Sequence, residues 1–270
     1  MLLRSIAVAA LALSVALFVC LDAALWLLPV IFAGVYLIGL LLAFLFLWIC
    51  CKRVDQSIPQ EEDSPFYRKV MHLYIEALVT LVGVRLHTKG LEKTPKEGRF
   101  VLVCNHLFLA DPGVLLHCFP KSQLAFVTKK ENETMPIVGP IMHRILCQSI
   151  DRENDRSALK TILKCISLIK EDKVSIGVFP EGYTSKDGKL HHFRSGVFKI
   201  AQKTGVPVVV CTIQNTRQIF KNLAKLKKTD VHLHLVEVIP PEEVSRLSTV
   251  ELSDQVYECM IADLGEDFRE

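Results

Sequence analysis

The sequence predicts an α/β domain with a mostly parallel sheet flanked by helices, preceded by an N-terminal transmembrane helical hairpin. Residues 5–51 form an almost unbroken apolar run, and from residue 84 onward short apolar segments of strand character alternate with helix-like segments. The 270-residue chain is 50% hydrophobic and 23% charged. Its mean hydropathy of +0.32 is too high for an ordinary soluble protein and too low for a pure membrane bundle. The composition therefore fits a short membrane part joined to one globular domain.

The charge and cysteine content argue against several classes of protein. The net charge is only +3, and no basic domain interleaved with aromatic residues is present, which argues against nucleic acid as a partner. None of the nine cysteines forms a Cys-x-x-Cys pair, and this pattern is not that of a disulfide scaffold or a zinc site. We therefore expect free thiols and no bound metal.

The apolar run at the start of the chain is predicted to be a membrane hairpin. Because a spanning helix needs about 20 residues, the run holds two helices with a turn between Asp22 and Pro29. Arg4 before the run and Lys52 with Arg53 after it predict that both ends lie on the cytoplasmic side. The first segment is short, so an interfacial helix is an alternative, and a cleaved signal peptide is the rival interpretation.

The chain is predicted to divide into the hairpin (1–51), a polar linker (52–64) and the α/β domain (65–270). The helix predicted from Pro65 has apolar residues at helical spacing, so it either rests on a membrane surface or packs on the core. Strands alternating with helices predict a largely buried sheet. The predicted strands are 84–89, 100–104, 124–128, 174–179, 206–212 and 231–238, and the predicted helices are 111–118, 137–147, 155–170, 196–203 and 249–263.

The first candidate site lies where the second predicted strand ends. Asn105 and His106 follow that strand, and Asp111 with Pro112 opens the next helix, since Asp is a good N-cap and Pro suits the first helical position. Ligands bind at strand ends in open α/β sheets. A histidine there can act as a general base, and Asp111 can fix its tautomer. The alternative is that Asp111 only caps the helix.

The second candidate site is the loop FPEGYTSKDGK (179–189), which follows another apolar strand. Its glycine permits a positive φ, and its backbone N–H groups and cations suit an anion such as phosphate. The alternative is an ordinary loop with solvated charges. The candidate binding residues in it are Glu181, Gly182, Thr184, Ser185 and Lys189.

Two basic features complete the candidates. Arg152 follows the strand-like segment 148–150, and a guanidinium there can grip phosphate in a bidentate fork. The alternative is a surface ion pair with a neighbouring acidic residue. Residues 217–228 (RQIFKNLAKLKK) place cations on one side and apolar residues on the other. This segment suits an anionic lipid or an acidic carrier protein, with a solvated helix face as the alternative.

Together these blocks resemble the PlsC-type glycerolipid acyltransferase family, whose best-known members are 1-acylglycerol-3-phosphate acyltransferases. The resemblance covers roughly residues 85–215, with the blocks in the family's order. The matching blocks are Asn105-His106 with Asp111, Lys129-Lys130-Glu131 with Pro136 and Gly139, Ile150-Asp151-Arg152, Phe179-Pro180-Glu181-Gly182, Phe193-Arg194-Ser195-Gly196, and Gly205-Val206-Pro207 with its apolar run.

The resemblance implies direct transfer of a fatty acyl group from acyl-CoA or acyl carrier protein to the free hydroxyl of 1-acylglycerol-3-phosphate. It implies that His106 is the general base, that Asp111 orients it, and that backbone N–H groups near the His106 loop hold the oxyanion. It implies no metal or cofactor, and its partners are membrane lipid and the acyl donor. The implied substrate-binding residues are Asn105, Lys129, Arg152, Glu181, Gly182, Thr184, Ser185 and Lys189.

The sequence departs from the family pattern at two places. Thr184 stands where the family has an Arg that helps to bind the acceptor's phosphate, which leaves Lys186 or Lys189 as the substitute. Leu107 and Phe108 make the rim of the site bulkier than usual. A different acceptor lipid and a non-catalytic lipid-binding protein therefore stay open as alternatives. The sequence has no Gly-x-Ser-x-Gly elbow, which argues against a membrane-anchored hydrolase.

Overall fold

The computed structural model describes residues 1–22, 24–151 and 155–270, so Arg152 lies outside the described residues. Two apolar helices come first, α1 (Leu2–Cys20) and α2 (Leu28–Lys52), joined by a turn that contains the 3-10 segment Leu25–Leu27. Both are long and apolar enough to cross a bilayer, and only 11% and 6% of their most apolar windows are buried. They pack closely, since a Cβ on Gly39 would lie 2.6 Å from the Ile6 side chain.

Seven strands of the described chain form one sheet in the order β1-β7-β6-β2-β5-β3-β4. All neighbouring strands are parallel except β6 and β7, so the predicted mostly parallel α/β fold is confirmed. The central strands are buried throughout except at Gln214, the last residue of β6, as expected for strands covered on both faces. The strands are β1 (Val84–Lys89), β2 (Val101–Cys104), β3 (Leu124–Lys129), β4 (Gln148–Ile150), β5 (Ser175–Val178), β6 (Val208–Gln214) and β7 (Thr229–Ile239).

β7 reverses direction relative to β6. Only residues 215–228 join β6 to β7, and they return the chain along the neighbouring strand as in a hairpin. Because β1 is parallel to β7, the start of β1 lies at the same edge of the sheet as the carboxyl ends of β2, β5 and β6. We call this edge the carboxyl edge.

Helices cover both faces of the sheet. One face packs against α6, α7, α9 and α10 around Phe198, and the other packs against α3, α4 and α5 around Phe100. The helices of the domain are α3 (Pro65–Leu81), α4 (Asp111–Cys118), α5 (Val138–Arg144), α6 (Asp155–Lys170), α7 (Lys199–Thr204), α8 (Ile219–Leu223), α9 (Pro241–Arg246) and α10 (Thr249–Leu264).

Two helices are shorter than the sequence predicts. The helix predicted over 137–147 ends at Arg144, and Leu146 takes a positive φ of 65° that no helix continues through. The segment predicted as a helix over 196–203 begins instead as the 3-10 turn Ser195–Phe198 before α7. Neither difference moves a candidate site residue.

The predicted linker is fastened to the domain. The Arg68 guanidinium binds the Asp63 carboxylate at 2.7 Å, and both side chains are 8% exposed. The Ser64 N–H donates to the Arg144 carbonyl at 3.0 Å. Further along the chain, the Tyr67 and Tyr74 hydroxyls of α3 donate to the Cys50 and Ala43 carbonyls of α2. α3 is therefore wedged between the apolar helices and the core.

Candidate active site

His106 and Asp111 form a hydrogen-bonded pair at the carboxyl edge. His106 follows β2, and the Asp111 carboxylate opens α4 five residues later, so the turn between them brings Nδ1 of His106 within 2.8 Å of Oδ2 of Asp111. The Asp111 side chain is completely buried, whereas that of His106 is 15% exposed. The carboxylate therefore fixes the Nδ1-protonated tautomer, and Nε2 is the nitrogen left to accept a proton.

The same carboxylate oxygen holds the turn itself. The backbone N–H groups of Leu107 and Phe108 both donate to Oδ2 of Asp111 at 2.7 Å. The backbone N–H of His106 donates to Oε1 of Glu181 at 2.8 Å. The expectation that N–H groups near the His106 loop hold the oxyanion is therefore wrong for these three groups, because each already donates to a carboxylate.

The loop 179–189 follows β5, the strand next to β2, and it holds the His106 backbone through hydrogen bonds. Besides accepting from His106, Glu181 accepts the His191 N–H at 3.3 Å, and the Ser185 N–H donates to the His106 carbonyl at 2.8 Å. Glu181 is only 1% exposed. Its burial raises its pKa to about 7, although the two backbone hydrogen bonds lower it. The buried Glu181 carboxylate therefore joins its own loop to the His106 loop through hydrogen bonds.

An aromatic stack supports the imidazole from the other side. The His106 ring lies on Phe179 with centroids 4.2 Å apart, and Phe179 stacks on Phe126 at 5.6 Å. Gly177 makes room for this stack, since a Cβ there would lie 2.4 Å from the Phe126 ring. The sequence analysis missed this support, because adjacent strands β3 and β5 bring the rings together.

The Asn105 side chain joins β2 to β6. Its amide oxygen accepts the Ile213 N–H at 2.7 Å and its amide nitrogen donates to the Ile213 carbonyl at 3.0 Å. Asn105 is 3% exposed. Asn105 therefore anchors the start of the His106 loop to β6. Its contact with substrate stays a prediction.

A cavity of about 580 Å³ lies beside the His106 loop. Of the predicted binding residues, Lys129 and Thr184 line it, whereas Ser185 is buried outside the lining and its hydroxyl accepts the Gly188 N–H. Gly182 has the predicted positive φ, at +80°. Lys189 is exposed and does not line the cavity. The complete lining is Lys129, Tyr183, Thr184, Lys186, Asp187 and His191.

His191 is the lining residue that lies outside the sequence blocks considered in the sequence analysis. Its Nε2 lies 3.0 Å from Asp187 and its Nδ1 lies 3.1 Å from Glu270. Burial lowers the pKa of His191, but the two carboxylates outweigh this effect and the net pKa is raised. Asp187 is four residues away, but Glu270 comes from the C-terminal end of the chain, where Leu190 pairs with Arg269, so no motif in the sequence marks this arrangement.

Comparisons with known proteins identify a family and several relatives. Residues 85–214 match the acyltransferase family. The 1-acyl-sn-glycerol-3-phosphate acyltransferase of Borreliella burgdorferi is 26% identical over 196 residues, which are 72% of this chain and 78% of that protein. A chloroplastic enzyme of the same name from Brassica napus is 33% identical over 158 residues, but the match spans only 57% of this chain and 45% of that protein.

The fold gives the same assignment. The crystal structure of PlsC, the 1-acyl-sn-glycerophosphate acyltransferase of Thermotoga maritima, superposes with a TM-score of 0.61 and 28% identity, covering 73% of this chain and 78% of that one. The predicted resemblance is confirmed by both sequence and structure. Residues 85–214 of the chain therefore form a domain of the acyltransferase family, and the fold around them is that of PlsC-type enzymes.

Proposed function

We propose that this acyltransferase moves a fatty acyl group from acyl-CoA or acyl carrier protein to the free hydroxyl of 1-acylglycerol-3-phosphate. The observation that carries the proposal is the 2.8 Å contact between Nδ1 of His106 and Asp111, which leaves Nε2 as a base. The cavity lined by Lys129 and Lys186 does not include His106 in its lining, but it adjoins the His106 loop, because the Ser185 N–H donates to the His106 carbonyl. A pure lipid-binding protein has no need of such a pair, so catalysis is the better account.

The reaction is a direct transfer. Nε2 of His106 takes the proton of the acceptor hydroxyl as its oxygen attacks the thioester carbonyl, and buried Asp111 stabilises the imidazolium. The new C–O bond forms, the C–S bond breaks, and the imidazolium returns its proton to the departing thiolate. General-base catalysis alone contributes about 10²–10⁴ in rate.

The acceptor's phosphate is assigned to the cavity. Lys129 and Lys186 supply positive charge there, and Thr184 offers a hydroxyl where the family has Arg. Arg152, outside the described residues, remains a proposed second phosphate ligand. Ser185, Asn105 and the buried Glu181 act by holding the loops.

The proposed setting is a membrane with the domain on the cytoplasmic side. The support is the pair of apolar helices α1 and α2 and the cations at their ends, Arg4, Lys52 and Arg53. An acceptor that partitions into lipid then meets the site at the interface. A protease added outside sealed, right-side-out vesicles should leave the domain intact, and rapid cleavage would overturn the orientation.

The test is a panel of acceptors against acyl-CoA and acyl carrier protein donors, using the purified chain in mixed micelles. Turnover should be fastest with 1-acylglycerol-3-phosphate and should fall at least 100-fold in His106→Ala. His87→Ala is the matched control, because His87 is an exposed histidine on β1. Preference for an acceptor that lacks phosphate would replace the proposed substrate, and near-normal turnover of His106→Ala would remove His106 from the mechanism.

A further inference from the structure

The connection between β6 and β7 is strongly basic, and the proposed reaction does not use it. We call residues 216–228 the basic connection. It contains no acidic residue, and its cations are Arg217, Lys221, Lys225, Lys227 and Lys228, all exposed. The helix in this stretch, α8, ends at Leu223. The last three lysines therefore lie on a turn around Leu226, which has a positive φ of 55° and is 95% exposed.

The basic connection lies at the carboxyl edge, beside the candidate active site. It begins where β6 ends, and β6 is parallel to β2, the strand that carries His106. The Phe220 ring meets the Phe108 ring edge to face with centroids 5.2 Å apart. Phe108 is two residues from His106, so the basic connection adjoins the turn that holds the imidazole.

Exposed apolar side chains lie next to these cations. Phe220 is 52% exposed, and Leu109 in the His106 loop is 68% exposed. At the end of α3, Leu78 and Leu81 are 57% and 56% exposed. The end of α3 adjoins the basic connection, because the Thr229 N–H donates to the Gly83 carbonyl. Apolar side chains rimmed by cations are the pattern of a surface that rests in a membrane interface.

This surface faces the direction in which the apolar helices project. The Tyr67 hydroxyl contacts the Cys50 carbonyl, and the Tyr74 hydroxyl contacts the Ala43 carbonyl. Residue numbers rise along α3 while they fall along α2, so the two helices run antiparallel. The end of α3 therefore points back along α2, away from the junction of hairpin and domain and towards the part of α2 that is almost nowhere buried.

We propose that the basic connection, with the leucines at the end of α3 and Leu109, is a second membrane contact that docks on anionic lipid. Lysines near an anionic surface each strengthen the contact about fivefold. The interspersed Phe220 and Leu226 favour lipid over an acidic protein, because such side chains can enter the acyl boundary. Docking here holds the His106 turn against the interface from which the lipid acceptor comes.

The test places a polarity-sensitive fluorophore at position 226 of the full-length chain reconstituted in vesicles. The label goes on Leu226→Cys in a Cys20→Ser background, since Cys20 is an exposed native thiol. Nitroxide-labelled lipid should quench the probe in vesicles with about a third anionic lipid, and less so in neutral vesicles or high salt. The same label on Glu97→Cys, exposed at the opposite edge of the sheet, should not be quenched.

Charge variants separate this proposal from the proposed function. Lys225→Gln with Lys228→Gln should lower the ratio of quenched to unquenched probe roughly 25-fold while leaving turnover in neutral micelles unchanged. The matched control is Lys93→Gln with Lys96→Gln, which removes equal charge at the opposite edge and should change neither readout. The lipid contact would be overturned by any of three results. These are equal quenching in neutral and anionic vesicles, no quenching in either, and a change in the probe's fluorescence only when an acidic carrier protein is added. None of these results bears on whether His106 is the base.

Discussion

Substituting Asp111 separates the charge of this residue from its role in holding the turn. In Asp111→Asn the amide oxygen can replace Oδ2, which accepts from His106, Leu107 and Phe108. If the amide were flipped, its NH₂ group would face two backbone N–H groups, which are also donors. The orientation with the oxygen in place of Oδ2 is therefore favoured, and His106 should keep its proton on Nδ1. Only the negative charge opposite the imidazolium is lost. We therefore expect turnover to fall about 100-fold, at the lower end of the range for general-base catalysis.

The same reasoning predicts the cost in stability. Oδ1 of Asp111 is buried and meets no hydrogen-bond donor within the described chain, so an NH₂ group placed there lacks an acceptor and costs about 1–3 kcal/mol. Asp111→Ala instead deprives three donors of their acceptor, which costs about 3–9 kcal/mol. That loss is comparable with the whole stability of a typical domain, about 5–15 kcal/mol, so the alanine variant should unfold at least locally.

The assay is steady-state transfer from labelled acyl-CoA to 1-acylglycerol-3-phosphate, together with thermal unfolding of each variant. For Asp111→Asn, kcat should fall while KM for both substrates stays within about twofold, because a fully buried carboxylate touches neither. A kcat within threefold of the parent would refute the role of the charge. A raised KM with unchanged kcat would instead assign Asp111 to binding.

Three further predictions follow from buried contacts. Glutamate ionises near 4.5 when unfolded, but burial raises the folded pKa of Glu181 to about 7; the protein should therefore lose roughly 3 kcal/mol of stability between these values as pH rises. Tm measured against pH should show this loss in the parent and not in Glu181→Gln, and parallel curves would contradict it. Gly177→Ala places a Cβ 2.4 Å from the Phe126 ring, so it should destabilise the domain by about 1–3 kcal/mol and lower kcat; an unchanged Tm in thermal unfolding would show that the ring moves freely. Arg68→Met should cost about 3–5 kcal/mol by leaving Asp63 buried and unpaired, whereas replacing both partners with apolar residues should restore much of the loss in denaturant unfolding. If the double variant is no more stable than the single one, the ion pair is not the cause.

The local patterns of the sequence determined the class of the fold and the centre of the site. The apolar run and the alternation of strands with helices predicted the hairpin and the mostly parallel sheet. The strand-to-helix turn at Asn105-His106 predicted the His106–Asp111 pair, because five residues are few enough to bring the two side chains together. The predicted cap is wrong, since Ala110 is the N-cap of α4 and Asp111 is its first helical residue. These inferences rest on interactions between residues close in sequence, which the order of residues encodes directly.

Only the tertiary structure decided what surrounds that pair. The sequence marks Glu181 as a charged loop residue, yet pairing of β2 with β5 buries it and turns it towards the His106 backbone. Phe126 and His191 reach the site from distant parts of the chain. The reversal of β7 brings the basic connection to the carboxyl edge. Strand order and loop closure set these contacts, and they depend on packing the whole sheet rather than on any local pattern.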